Sequence, residues 1–244
     1  MGNIAFGMFF IYTSCKYRYH IIILRIYLRS VELDISKRKG VIALIKNIVF
    51  DLGRVLLDYR PLEYLRKNLG DNALSDELYK HIFQSDEWLL LDRGTIEIQE
   101  AIDIISKRMP DKRSYIEFYM NNWNSLLEPI EGTVEILKNL KNKGYKLYIL
   151  SNFQKTAFEK VFNQYDWFNI FDGKLISYEA HLLKPEKEIY QKLVERYGIL
   201  PNESIFIDDM KANVDAATEI GFSAIQFISS DQLKSELDKK EYII

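Results

Sequence analysis

The chain has 244 residues, 48% of them hydrophobic and 28% charged, with one cysteine, 11 glycines and a formal net charge of −2. Such a chain is long enough to bury a core without covalent staples, and its composition excludes collagenous, disulfide-scaffold and wholly disordered classes. The lone Cys15 fits a reducing compartment, so a cytoplasmic location is expected.

Charge is spread unevenly. Residues 1–40 carry seven basic and two acidic side chains, leaving 26 basic against 33 acidic in 41–244. An acidic body repels a phosphate backbone, so nucleic acid is not an expected partner. Two apolar runs, Ile4 to Cys15 and Ile21 to Leu28, flank the basic stretch Lys16 to His20. Neither reaches the roughly 20 residues that span a bilayer, and the charge follows the first run instead of preceding it as in a secretory signal. Membrane contact is expected only if residues 1–40 are genuine, as a basic peripheral anchor. Lys37-Arg-Lys-Gly40 can be encoded by purine-rich DNA of the kind that precedes a bacterial start codon. The expectation is therefore an extra N-terminal segment over 1–40, with Val41 or Leu44 as the true start.

From Lys46 the pattern becomes regular. Lys46 to Phe50 reads as a short buried strand broken by Asp51-Leu-Gly53. Between Tyr59 and Leu127 no strand is evident; Ile98, Ile102, Ile105 and Met109 recur at helical spacing, with Thr95 as the expected N-cap. The aromatic residues of this stretch (Tyr64, Tyr79, Phe83, Trp88, Tyr115, Phe118, Tyr119, Trp123) are expected to pack a small helical core. Beyond Pro129 helices and strands alternate: a helix through Val134, Leu137 and Leu140 ending at Gly144, then a strand from Tyr145 to Leu150. There follow a helix at about 154–165, a strand at about 174–178, a helix at about 186–197 and a strand from Ser204 to Asp208. A helix at about 211–220, a strand from Phe222 to Phe227 and a helix at about 231–239 complete the series. Alternation of this kind implies an α/β fold with a Rossmann-like parallel sheet, covered on both faces.

Ligands bind such sheets at the carboxyl ends of the strands. Asp51, Ser151 with Asn152, and Asp208-Asp209 close three of them, and Lys184 stands in the loop His181-Leu-Leu-Lys-Pro185. Three carboxylates repel one another and repel a phosphate dianion more, a conflict that an oxygen-loving divalent cation such as Mg²⁺ resolves. Lys184 adds a positive charge and Ser151 a donor, which makes a phosphoryl-transfer constellation. No glycine-rich nucleotide loop is present, so ATP and NAD are not expected. His20, His81 and His181 share no metal-site spacing. Arg54 and Arg60 read as surface ion pairs, and Trp88 and Arg93 as candidates for a pocket lining.

Ile48-Val-Phe-Asp-Leu-Gly-Arg-Val55, Leu150-Ser-Asn152, Lys184-Pro185 and Phe206-Ile-Asp-Asp-Met-Lys-Ala-Asn213 resemble, in order and separation, the four motifs of the haloacid dehalogenase superfamily. The resemblance implies a core over 41–58 and 128–244 with a helical cap over 59–127. It implies a hydrolase of small phosphorylated metabolites in which Asp51 is the nucleophile forming an aspartyl-phosphate. Asp209, Asp208 and the Gly53 carbonyl, together with Asp51, would hold Mg²⁺. Ser151, Asn152 and Lys184 would meet the phosphoryl group, and Asn213 would orient the acidic loop.

One position departs from the pattern. Most phosphatases of this superfamily carry a second Asp two residues after the nucleophile, as general acid and base; here Gly53 supplies none. Such help is worth about 10²–10⁴-fold. Another acid could serve, or the substrate could have an acidic leaving hydroxyl, as an anomeric sugar phosphate does. Phe50 to Val55, Asp58 and Leu91-Asp-Arg-Gly-Thr95 resemble the branch that includes α-D-glucose-1-phosphate phosphatases. The alternatives are a metal-independent 2-haloacid dehalogenase, which Asp208-Asp209 disfavours by repulsion, and a binding protein that kept the fold without the activity.

Overall fold

The computed structural model describes residues 44–239. The expectations for residues 1–40 lie outside that range.

Strand β1 (Asn47–Phe50) is central to a five-stranded parallel sheet with β4 (Lys146–Ser151), β5 (Gly173–Ile176), β6 (Ser204–Asp208) and β7 (Ser223–Gln226), in the order β5-β4-β1-β6-β7. Side chains alternate between two apolar layers. Ile48, Phe50, Leu147, Ile149, Ile205 and Ile207 enter one core, whereas Val49, Tyr148, Leu150 and Phe206 enter the other. A strand buried on both faces reads as a continuous apolar run, which is how these segments appear in the sequence. Helices α6 (Glu131–Asn142), α7 (Lys155–Gln164), α8 (Ser177–Ala180), α9 (Lys187–Tyr197), α10 (Lys211–Ile220) and α11 (Ser230–Lys239) supply the connections and the C-terminal end.

Between β1 and β4 a two-stranded antiparallel ribbon, β2 (Leu57–Asp58) with β3 (Glu128–Pro129), brackets a helical insertion. Its α-helices are α1 (Pro61–Leu69), α2 (Asn72–Leu78), α3 (Asp86–Arg93), α4 (Ile98–Arg108) and α5 (Arg113–Asn122). Ile102 and Ile105 of α4 are buried as their spacing predicts. No described helix is long and apolar enough to cross a membrane.

Three local expectations are corrected. Thr95 does not cap α4, whose N-cap position is Glu97; its hydroxyl donates instead to the Leu90 carbonyl and closes the end of α3. The strand expected to 178 ends at Ile176, because the Ser177 hydroxyl is claimed by the Phe153 amide and the Asp92 carbonyl and the chain turns helical. Of the eight aromatics, Phe83, Trp88, Tyr119 and Trp123 are buried and Tyr64 and Tyr79 pack beside them, but Tyr115 and Phe118 are exposed.

Candidate active site

Parallel pairing fixes the rim. Phe50 is level with Ile149 on one side and Ile207 on the other, so Asp51, Ser151 and Asp208 emerge together at the carboxyl ends of β1, β4 and β6. The Asp51 amide extends the ladder by bonding the Ile207 carbonyl at 2.9 Å. Ligating oxygens of Asp51, Asp208 and Asp209 lie within 4.8 Å of one another.

Lys184 stands between them. Its Nζ is 2.8 Å from Asp51 Oδ1 and 2.5 Å from Asp208 Oδ2, and its side chain is 1% exposed. Burial works against the ammonium, but the charges of Asp208 and Asp51 outweigh it and hold the lysine pKa above its ordinary value. Burial raises the pKa of Asp51; Lys184 pulls it back and Asp208 pushes it further up. Asp209 is likewise raised, by burial first and Asp208 second, with Arg54 at 3.5 Å opposing. Three carboxylates against one buried ammonium and the largely exposed Arg54 leave the cluster short of positive charge. An all-oxygen donor set with that shortfall suits a small hard divalent cation, so the residues present fit Mg²⁺.

Each remaining expected residue has a definite place. Asp208 is fully buried, and its oxygens accept from Lys184 Nζ, the Asn213 side-chain amide and the Met210 backbone amide. It is thus held as an orienting anchor, with Asn213 bracing it, while Asp209 is freer to ligate. Asn152 is tied to the lysine loop. Its side chain receives the Lys184 amide at 2.8 Å and donates to the Lys184 carbonyl at 3.0 Å, pinning the lysine loop. The Ser151 hydroxyl is buried and, among the described residues, makes no well-formed hydrogen bond, although it is near enough to Asp51 to favour the carboxylate. A buried hydroxyl at a strand end without a well-formed hydrogen bond is free to turn toward an incoming acceptor. Arg54, at a left-handed φ of 58°, faces Asp209, and Arg60 pairs with Asp58. Trp88 is packed between Phe83 and Trp123 and Arg93 is bonded to Glu186, so both are structural ties.

One residue beside Asp51 lies in the stretch Leu91-Asp-Arg-Gly-Thr95, where the sequence assigns it no site role. Asp92, from α3, is buried, and burial together with the charge of Asp51 pushes its carboxyl up to about 8.

A profile of the haloacid dehalogenase-like hydrolases matches residues 48–227, about three quarters of the chain. The chain belongs to this hydrolase family. Within it, a sesquiterpene phosphatase of Aspergillus oryzae is 26% identical over 186 residues, covering 76% of this chain and 91% of the relative. A phosphorylated carbohydrates phosphatase of Thermotoga maritima is 25% identical, covering 73% and 82%. Among solved structures, a family enzyme of Bacteroides thetaiotaomicron in complex with magnesium and inorganic phosphate has a TM-score of 0.59 at 29% identity, covering 76% of this chain and 95% of that one. An L-2-haloacid dehalogenase of Xanthobacter autotrophicus shares the fold at 18% identity, TM-score 0.57, covering 81% and 84%.

Proposed function

We propose that this hydrolase is a Mg²⁺-dependent phosphatase acting on a small phosphomonoester, with sugar phosphates, glucose 1-phosphate among them, as the first class to try. The buried Lys184 bridging Asp51 and Asp208, with Asp209 beside them, carries the reading. A halocarboxylate site has no use for two further carboxylates, which would repel its anionic substrate. The phosphatase relatives and the magnesium and phosphate of the Bacteroides neighbour support it from outside.

On this reading Asp51 attacks phosphorus in line and forms an aspartyl-phosphate that water then hydrolyses. Ser151 donates to a phosphoryl oxygen, and Lys184 offsets charge on the nucleophile and the transferring group. Asp51, Asp209 and the Gly53 carbonyl would hold the cation, anchored by Asp208; when bound, it supplies charge neutralisation and orientation of the phosphoryl oxygens. The helical insertion is the cap of the expected two-part organisation, 59–127 over a core of 41–58 and 128–244, and shields the rim from bulk water.

The test is phosphate release by the full chain from p-nitrophenyl phosphate and a sugar-phosphate panel, with Mg²⁺ or with EDTA. Turnover is expected only with Mg²⁺, and Asp51→Asn is expected to lose about 10⁴-fold or more, as loss of a nucleophile does elsewhere. Metal-independent chloride release from 2-chloropropionate, with no phosphate release, would overturn it.

A further inference from the structure

The two tasks that Gly53 cannot perform are protonating the leaving oxygen and deprotonating the attacking water. We propose that Asp92, at the end of α3 in the helical insertion, performs both. The proposal rests on the phosphatase reading.

Asp92 is placed by ties that do not involve its carboxyl. The Ser177 hydroxyl bonds its backbone carbonyl and accepts from the amide of Phe153, two residues beyond Ser151. Next along the helix, Arg93 donates to the His181 carbonyl and pairs with Glu186, on either side of Lys184 in the chain. Gly94 then ends the helix at φ +71°, so close to α8 that a Cβ there would lie 2.6 Å from the Tyr178 carbonyl oxygen. Aromatic packing adds to the fixation, since Trp123 bridges Trp88 of α3 to Phe153. The helix end is therefore clamped onto the two loops that present Ser151 and Lys184.

Asp92 is 9% exposed as a residue, and its carboxyl makes no hydrogen bond or ion pair among the described residues. The titratable groups facing it are Asp51 at the end of β1 and Tyr59 just after β2. Arg93 on its own helix is committed to Glu186, and Lys184 to Asp51 and Asp208. An unpaired buried carboxyl is costly as an anion and tolerable as an acid. With its titration raised to about 8, it holds a proton at neutral pH, as a general acid must.

The steps balance. An Asp51 oxygen bonds to phosphorus as the ester P–O bond breaks; its electron pair stays on the leaving oxygen, which takes the Asp92 proton and departs as an alcohol. The Asp92 carboxylate then takes a proton from water while the water oxygen bonds to phosphorus. The P–O bond to Asp51 breaks, the pair returns to the Asp51 carboxylate, and phosphate leaves with Asp92 reprotonated.

The test compares the full chain with Asp92→Asn, with Mg²⁺ present, on two substrates. p-Nitrophenyl phosphate has a leaving group that needs little protonation, whereas glycerol 3-phosphate expels an alkoxide. With Asp92→Asn, nitrophenolate is expected in a burst at the wild-type rate, followed by slow turnover with a phosphoenzyme visible in the intact mass. Glycerol 3-phosphate turnover is expected to fall about 10²–10⁴-fold with no burst. Asp92→Glu is expected to recover part of it. Gly53 has open space, with nothing within 4 Å of a built Cβ, so Gly53→Asp in the Asp92→Asn background is expected to restore glycerol 3-phosphate turnover. Asp92→Ser repeats the comparison should the Asn variant not fold. Equal losses of the first step on both substrates, or a leaving-group-selective loss in Tyr59→Phe instead, would overturn the assignment while leaving the phosphatase intact. A wild-type chain that releases phosphate from neither would overturn the phosphatase reading and this one with it.

Discussion

The two ends of the central sheet use carboxylates in opposite ways. At the amino end, burial works against the charge of Asp172, but Lys141 at 2.7 Å, Lys146 at 2.8 Å and the Leu147 amide at 2.9 Å outweigh it and hold its pKa down at about 2. Lys46 and Glu203 pair beside it across the same end of the sheet. At the carboxyl end, three carboxylates share one buried ammonium, and burial pushes Asp51, Asp92 and Asp209 up. One end satisfies its charges and gains stability. The other leaves them short of positive charge, which costs stability and creates the demand that a cation and a phosphoryl group would meet.

Removing Lys184 should break this contrast most severely. Lys184→Met leaves Asp51 and Asp208 buried without their counter-ion, and loss of one partner of a buried pair costs roughly 3–5 kcal/mol. The variant should melt well below wild type in EDTA and release no measurable phosphate. Saturating Mg²⁺ should recover part of the melting temperature, since a ligand that binds only the folded state stabilises it by about 2.7 kcal/mol at a hundredfold excess over Kd. A variant that melts like wild type would show that the rim is not short of positive charge.

Asp92→Asn should move stability the other way. The folded chain keeps on Asp92 a proton that the unfolded chain releases above about 3.8, so this residue lowers stability as pH rises from there toward about 8. The asparagine variant should therefore be more stable than wild type at pH 8, on the order of 1–3 kcal/mol. The gain should vanish near pH 4. Urea melts at the two pH values measure it, and a variant less stable than wild type at pH 8 would place a hidden partner on the carboxyl.

Asp92 also marks the boundary of what the sequence discloses. Asp51, Ser151 and Asp208-Asp209 were legible because each ends a strand or follows one, and β6 and α10 fall on their expected bounds, Ser204–Asp208 and Lys211–Ile220. Local pattern suffices where a buried apolar run stops at a polar residue. It fails where a distant partner decides. Ser177 reads as strand until Phe153 and Asp92 claim its hydroxyl, and nothing in the local sequence around Asn152 discloses that its side chain holds the Lys184 backbone. The two-residue strands β2 and β3 are too short to carry any period. Asp92 lies in the stretch Leu91-Asp-Arg-Gly-Thr95 but gains no role from it, because it sits between Leu91 and Arg93 like any charged residue on a helix; the glycine two positions on seats the helix end by its close approach to Tyr178. With an acid in place, an anomeric leaving group is no longer required by the chemistry, so the substrate panel should extend to ordinary alkyl phosphates.

Asp172→Asn should have the smallest effect and sharpen the contrast from the quiet end. A carboxylate whose folded pKa is depressed stabilises the fold above its unfolded value near 3.8, and this contribution is lost as pH falls toward about 2. Lys146 is largely exposed, so solvent screens part of the pairing, and a loss on the order of 1 kcal/mol is expected at pH 7. The difference from wild type should close on acidification, as for Asp92→Asn, but with the opposite sign: here the variant is the less stable protein at pH 7. Phosphate release at pH 7 should be unchanged, because Asp172 braces the start of β4 while Ser151 stands at its far end. A fall in kcat with the fold intact would mean that the two ends of the sheet are coupled, and that the amino-end pairs help to aim the residues at the rim.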